Sequence, residues 1–538
     1  MTSTPLRRAA LVGTSVLVLT GTCTLPAPAA SAPVPAPEAL PLGAPGLAET
    51  RTTTTLQPGV TLTRVVRGAP DPALHWVVEV AVPSAPTSPD PAAAPRAVQD
   101  EAAARAHAAT LAAAGLPAEV QPVQQPELAD VPGGTIGYRV RLTERFATQQ
   151  AADDAVARLA AAGSAGRSWY TGWDGGTAAG GPWTVDVVTV DPARFDGEVR
   201  ATYGPDLERR EPTTGLAALA DASVAVNGGF FVFDPQAGAE GDPAGVGVYD
   251  GSLESEPVGA RPALVVDEGT GEADVDRPRW RGELVSAELL LTLDGTNRVP
   301  GLVRNCGGTV DDAPTWQPRH DVTCTDDAEL VAFTPAFGAT TPAGEGTEVV
   351  LDDDVVVEVR AGRGVALAEG QTSVQGTGVY GEALATLDAG ERVDVRAALV
   401  DRDGMRLDVA DRTVVNGGPE LVRDGREHVT LARDGMVHPG NPSFQYGWAL
   451  QRNPRTFAGV DADGRLLLVV ADGRQVDHLG LSVPETAAVA RALGMVEAVN
   501  LDGGGSTTLA VDGQLASSPS DTAGERPVGD AVVVTAGG

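Results

Sequence analysis

Three stretches of this chain set a polar side chain beside bare backbone. Val224-Ala-Val-Asn-Gly-Gly-Phe-Phe231 runs a β-type segment into Asn227 and two glycines. Asn453-Pro-Arg-Thr-Phe-Ala-Gly459 leads into a hairpin that returns at Ala471-Asp-Gly-Arg474. Ala498-Val-Asn-Leu-Asp-Gly-Gly-Gly-Ser-Thr-Thr508 ends a strand in an acid and three glycines. An Asn or Asp at a strand end, followed by glycine, presents its side chain where a ligand can approach the backbone closely. The glycine N–H groups are then free to meet an anion. Each stretch alone reads equally well as a turn. Ser506 lacks the Gly-x-Ser-x-Gly elbow of a nucleophilic serine, so a hydrogen-bonding role fits it better. The six histidines (75, 107, 320, 428, 438 and 478) show no metal-ligand spacing. Asp461-Ala-Asp-Gly464 and Leu351-Asp-Asp-Asp354 could touch a structural calcium, but both lack the full loop pattern. No cofactor is expected.

Strands and tight turns must position these residues. From about Pro182 onward, short β-type runs alternate with Asp-Gly pairs at 294, 403, 424, 434, 463 and 512. Asp-Gly between apolar runs is a strong hairpin signal. Helix signals there are confined to Gly215–Ala222 and Val483–Leu493, the latter with Pro484 in its first turn and Gly494 as its stop. No cut inside this region suggests itself, although Glu254–Asp276 reads as a candidate surface insertion. Before it, from about 60 to 170, a strand–helix–strand pattern occurs twice. His75–Val82, a helix from Asp100 to Ala114, and Ala118–Val123 are followed by Gly137–Leu142 and a helix from Thr148 to Gly163. Both helices close on the same string, Leu-Ala-Ala-Ala-Gly, at 111–115 and 159–163. This is a split βαβ arrangement. The expected fold class is therefore α+β: a strand-rich domain with antiparallel sheets, preceded by a small split βαβ domain.

Composition narrows the function. The 538 residues carry 39 basic and 72 acidic side chains, a net charge of -33. Such a chain would repel nucleic acid and anionic lipid. No lysine occurs, which excludes P-loop NTPases, Schiff-base enzymes and pyridoxal phosphate enzymes.

The first 32 residues read as an export signal. Arg7 and Arg8 precede the apolar run Ala9–Leu19, and Ala30-Ser31-Ala32 is a cleavage site. The run is too short to span a bilayer, and Thr20-Gly21-Thr22 makes a poor lipobox before Cys23. Residues 33–59 form a Pro/Ala-rich spacer. Cleavage leaves Cys306 and Cys324, an even pair that in an exported chain favours a disulfide; a metal site with His320 is the weaker alternative. The expected location is secreted or cell-wall associated, with no transmembrane segment.

Two family resemblances follow from these residues. Tyr138-Arg-Val-Arg-Leu142 and the Ala-rich helix through Leu159 and Gly163 resemble the SPOR family of peptidoglycan-binding domains. The Pro-rich insertion Pro83–Pro95 departs from that pattern. From about 182 to 538 the chain resembles the phosphodiester glycosidase family. The resemblance rests on Asn227-Gly-Gly-Phe-Phe231, Asn297-Arg298, Asn416-Gly-Gly-Pro419, Pro454-Arg-Thr456, Asp472-Gly-Arg474, Asn500-Leu-Asp-Gly-Gly-Gly-Ser506 and Glu525-Arg526.

The second resemblance implies hydrolysis of a sugar, N-acetylglucosamine or a relative, from a phosphodiester; export and the SPOR-like domain make cell-wall polymers the expected substrates. It implies Asp502 and Asp472 as catalytic acids, since a carboxylate can stabilise or trap an oxocarbenium-like centre. Arg298, Arg455, Arg474 and Arg526 become phosphate ligands through their guanidinium forks. Asn227, Gly228, Thr456, Asn500, Gly503, Gly504 and Ser506 complete the substrate-binding set. The rival reading is a non-catalytic glycan-binding protein that keeps the fold.

Overall fold

The computed structural model describes residues 39–84, 92–176, 178–306 and 318–537. The export signal, Cys23, the start of the 33–59 spacer and the middle of the Pro83–Pro95 insertion lie outside the described residues.

An eight-stranded antiparallel sheet forms the centre. Its spatial order is Glu49–Gln57, Val60–Arg67, Trp183–Val190, Leu466–Ala471, Arg455–Asp461, Met495–Asn500, Glu420–Arg423 and Arg426–Glu427. Leu466-Leu-Leu-Val-Val-Ala471 is buried at every position because both faces are covered. Strand side chains alternate between faces. Leu467, Val469 and Ala471 therefore join one core with the helix Val483–Ala492 and the N-terminal domain. Leu466, Leu468 and Val470 join another with Val224, Val226, Val532 and Val534. Those last four lie on a five-stranded sheet in which Ala222–Asn227 pairs with Leu509–Val511 and Ala531–Thr535.

Two boundaries differ from the sequence reading. Glu49–Gln57 and Val60–Arg67, assigned to the spacer and to the start of the small domain, are strands of the large sheet, with Val60–Arg67 in full register against Trp183–Val190. The Thr-rich first strand sits at the sheet edge and needs no apolar alternation, so it carried no signal. Glu254–Asp276 is no surface insertion: Ala263–Asp267 pairs with Arg412–Asn416 and buries Leu264 and Val266. The segment with its own core comes later, where Arg279–Val285, Gly344–Asp352, Val355–Arg363 and Gln371–Gly376 gather around Leu284, Leu330, Val349 and Val374.

The N-terminal domain has the expected βαββαβ order, from Trp76–Val80 to Gly166–Tyr170, with its strands in the order 118–125, 134–142, 76–80, 166–170. Asp100 and Thr148 cap the two helices by accepting from Ala103 N and Ala151 N. Gly115 and Gly163 end them with φ of +79° each. Among the described residues no helix is long and apolar enough to cross a membrane.

Candidate active site

The strand Met495–Asn500 ends in the core residue Leu501 and then turns Asp502 into a cavity of about 1190 Å³. Neighbouring strand ends hold that turn in place. Asn227 donates from Nδ2 to the Asp502 carbonyl at 2.8 Å, and its Oδ1 accepts from Thr456 Oγ1 at 2.6 Å and Thr508 N at 3.1 Å. Asp502 N donates to Gly228 O at 3.1 Å, and Gly504 N to Pro454 O at 3.0 Å. Gly503 N donates to Asp502 Oδ1 at 2.8 Å. Burial pushes the Asp502 carboxyl up to about 6, against the opposing pull of Ser506 and Gly503 N–H.

Three of the four candidate arginines face the same space. Phe457 pairs with Asn500 across the antiparallel ladder, which brings Arg455, two residues earlier, to the sheet end where Asp502 emerges. Arg455 is almost fully buried. It donates from Nε to Leu481 O at 3.1 Å and from Nη2 to Trp448 O, and its guanidinium lies 4.7 Å from the Trp448 ring. Burial and then the Arg474 charge push it down to about 9, so it stays cationic at neutral pH. Arg474 donates to Asn453 Oδ1 at 3.0 Å, and burial and Arg526 lower its pKa. Arg526 is paired with Asp521 at 2.8 Å. A Cβ on Gly505 would meet the Arg526 guanidinium and the Asp521 carboxylate, so a larger residue there would displace the pair.

The other sequence candidates are placed elsewhere. Asn227, Thr456 and Asn500 are fully buried behind the cavity wall. Asn500 donates to Gly418 O and Leu501 O, which makes it a brace. Gly228 supports the same turn from behind, its N–H bonded to Asp530 O. Arg298 is away from the cavity. It is locked between Glu256 at 2.6 Å and Glu329 at 2.5 Å, so its charge is already spent.

Asp472 does not join Asp502. It lines a separate cavity of about 510 Å³ with Thr184 and His478, where its Oδ1 accepts from Ser518 N at 2.9 Å. Gly473 packs tightly against Pro454 and Gly480, and Arg474 takes φ of +57°. That bend sends Arg474 to one cavity and leaves Asp472 facing the other. Asp472→Asn is accordingly expected to keep turnover within about threefold of wild type, measured as kcat/KM. A loss of 10²-fold or more would return Asp472 to the reaction.

Several residues in or behind the cavity were not among the expected catalytic or substrate-binding residues. Phe230, Trp448 and Phe444 surround His320, which burial and then Arg261 keep neutral. Trp448 stands on a π-helical turn, Tyr446–Leu450, a local distortion that only the backbone reveals. Asp530, held by Tyr249 at 2.9 Å, buttresses Gly229 N at 2.8 Å.

Arg304, His320 and Asp321 reach the cavity from a hairpin closed by the disulfide Cys306–Cys324, whose Cα atoms are 5.7 Å apart. Replacing both cysteines by serine is expected to lower unfolding stability by about 3 kcal/mol, from the entropy of the short loop. Denaturant midpoints of the two proteins check this; equal midpoints would mean the hairpin holds itself.

Comparison with known proteins agrees with this architecture. Residues 345–535 match the phosphodiester glycosidase family and residues 96–168 the SPOR domain. The match leaves Asn227 and Arg298 outside it. The mouse N-acetylglucosamine-1-phosphodiester alpha-N-acetylglucosaminidase is 49% identical over 67 residues, 12% of this chain and 13% of that protein. The chain thus aligns with only a small part of the length of its curated relatives. The crystal structure of a "Putative exported protein" from Burkholderia pseudomallei is 33% identical, with a TM-score of 0.81, covering 92% of this chain and 98% of its own. A hypothetical protein from Synechocystis, 19% identical with a TM-score of 0.51 over 91% of this chain and 81% of its own, shares the fold alone. The chain carries a phosphodiester glycosidase domain together with a SPOR domain.

Proposed function

We propose that this protein is an exported hydrolase that cleaves a sugar, N-acetylglucosamine or a close relative, from a phosphodiester on a cell-wall polymer. The observation that carries the reading is the convergence of Arg455, Arg474 and Arg526 on one partly buried carboxylate, Asp502, in a cavity with aromatic walls. Three guanidinium groups in an acidic chain are a receptor for phosphate oxygens. Phe230 and Trp448 line the cavity and give a sugar ring apolar surface to pack against. The Burkholderia relative's description, the disulfide and the SPOR domain support an extracytoplasmic, wall-directed role.

The bond that breaks is the one between the anomeric carbon and the phosphate oxygen. Its electron pair leaves with the phosphate, whose growing charge the arginines neutralise, so that a strong general acid is not required. Ionised Asp502 stabilises the positive anomeric carbon or traps it. Water supplies the new hydroxyl, and its proton leaves through Asp502 or solvent. The products are a free sugar and a phosphomonoester.

The role requires the carboxylate form. With the Asp502 carboxyl at about 6, sugar release from a GlcNAc-1-phosphodiester is expected to reach a plateau above that pH. It should fall about tenfold per unit below it. A rate that rises as pH drops from 7 to 5 would contradict this role.

A further inference from the structure

The SPOR domain does not present its sheet as a free surface. Its helices cover one face with Val78, Val80, Val140 and Leu142. The opposite face carries Glu79, flanked in register by Arg141 and Arg167, and it is closed by the π-helical turn of the glycosidase domain. Tyr446 donates to Glu79 Oε2 at 2.6 Å and accepts from Arg139 Nη1 at 2.9 Å. Arg141 bridges Glu79 at 2.9 Å and Asp174 at 2.7 Å, and Asp174 is held down at about 2 despite its burial, by Arg141 and then Arg139.

Arg167 is the exception in this network. It shares Glu79, at 2.7 Å, but 49% of its side chain is exposed. Its guanidinium stacks 4.3 Å from the Trp169 ring, and Nη2 donates to Gln451 Oε1 at 3.1 Å. Trp169 and Trp173 meet edge to face at 5.2 Å, and all three residues line the cavity that holds Asp502. Arg474, in the phosphate-facing trio, feels the Arg167 charge.

We propose that the SPOR domain completes the substrate cleft, with Arg167, oriented by Trp169, binding a second anionic group next to the scissile phosphodiester. The inference rests on the proposed function and narrows the substrate to one with two neighbouring phosphates. A diphosphate and a repeating phosphodiester polymer both carry that chemistry. The domain then acts as a wall of the active site.

Calorimetry with UDP and UMP tests this without turnover. Wild type is expected to bind UDP at least about tenfold more tightly than UMP, since a charge-assisted contact is worth about 1.5 kcal/mol or more. Arg167→Gln should reduce that ratio to about twofold with UMP affinity unchanged. Arg167→Lys should retain part of it. Glu79 keeps Arg141 and Tyr446 in both variants, so the fold is expected to survive.

An unaltered ratio, or equal losses for UDP and UMP, would overturn the proposal. Discrimination by Arg167 in a protein that releases no sugar would sink the hydrolase reading and leave the subsite standing. With turnover, comparing UDP-GlcNAc with a glycerol-phosphate oligomer ending in a GlcNAc-1-phosphodiester separates the sources. The better substrate of the two should be the one that loses most kcat/KM in Arg167→Gln.

Discussion

Asp502→Asn is expected to reduce sugar release by roughly 10³-fold or more while making the protein harder to unfold at alkaline pH. The two effects share one cause. The carboxyl is pushed to about 6 because burial penalises its charge more than Ser506 and Gly503 N–H relieve it. The folded chain therefore binds this proton more tightly than the unfolded one, so stability is lost as pH rises from about 4 to about 6 and stays lower above that. A shift of about two units corresponds to at most about 3 kcal/mol. Asparagine keeps the shape and removes the charge. The variant should unfold later than wild type at pH 8, and the difference should fade as pH falls from 6 toward 4. Paired melting curves at pH 8 and pH 4.5 check this. A variant that loses activity and is also less stable at pH 8 would mean that Asp502 acts mainly as a structural acceptor.

The second large effect is expected at Arg474. Arg455 is a poor test because its guanidinium also supports two carbonyls and the Trp448 ring, so its removal would disturb the wall. Arg474 is held by one side-chain hydrogen bond, to Asn453. Arg474→Gln should lower kcat/KM for a GlcNAc-1-phosphodiester by about 10²- to 10³-fold, the usual cost of losing one donor to developing charge. Inhibition by inorganic phosphate should weaken in parallel, and inhibition by neutral GlcNAc should not change. Arg474→Lys should rescue only part of the loss, because an ammonium cannot copy the planar fork. Equal weakening of phosphate and GlcNAc would place Arg474 against the sugar.

Much of the architecture could be read from local signals. The repeated Leu-Ala-Ala-Ala-Gly strings ended helices where expected, because glycine alone takes the left-handed cap freely. Asp424-Gly425 and Asp512-Gly513 form hairpin turns with φ positive at both residues, the geometry that pair favours. Asp502 and its glycines were visible because a strand, an acid and bare backbone are all local facts.

What stayed hidden depended on direction and distant partners. The bend at Gly473 decides which cavity Asp472 enters, and a thirty-residue separation from Asp502 says nothing about that. Arg298 looks like any motif arginine until Glu256 and Glu329 are seen on either side of it. Arg167 lies in a separate domain, and only the docking of Tyr446 onto that domain's sheet brings it to the cavity. Glu49–Gln57 was missed because an edge strand rich in threonine has no apolar period.

Cleavage is expected at the bond to the anomeric carbon, with the phosphate bonds left intact. Identifying the products from UDP-GlcNAc tests it most directly, because two cleavage sites give two different pairs. Cleavage at the anomeric carbon gives UDP and free N-acetylglucosamine, with ¹⁸O from labelled water absent from the nucleotide. UMP with N-acetylglucosamine-1-phosphate, or ¹⁸O in a phosphate, would contradict it and make the arginine cavity that of a phosphodiesterase.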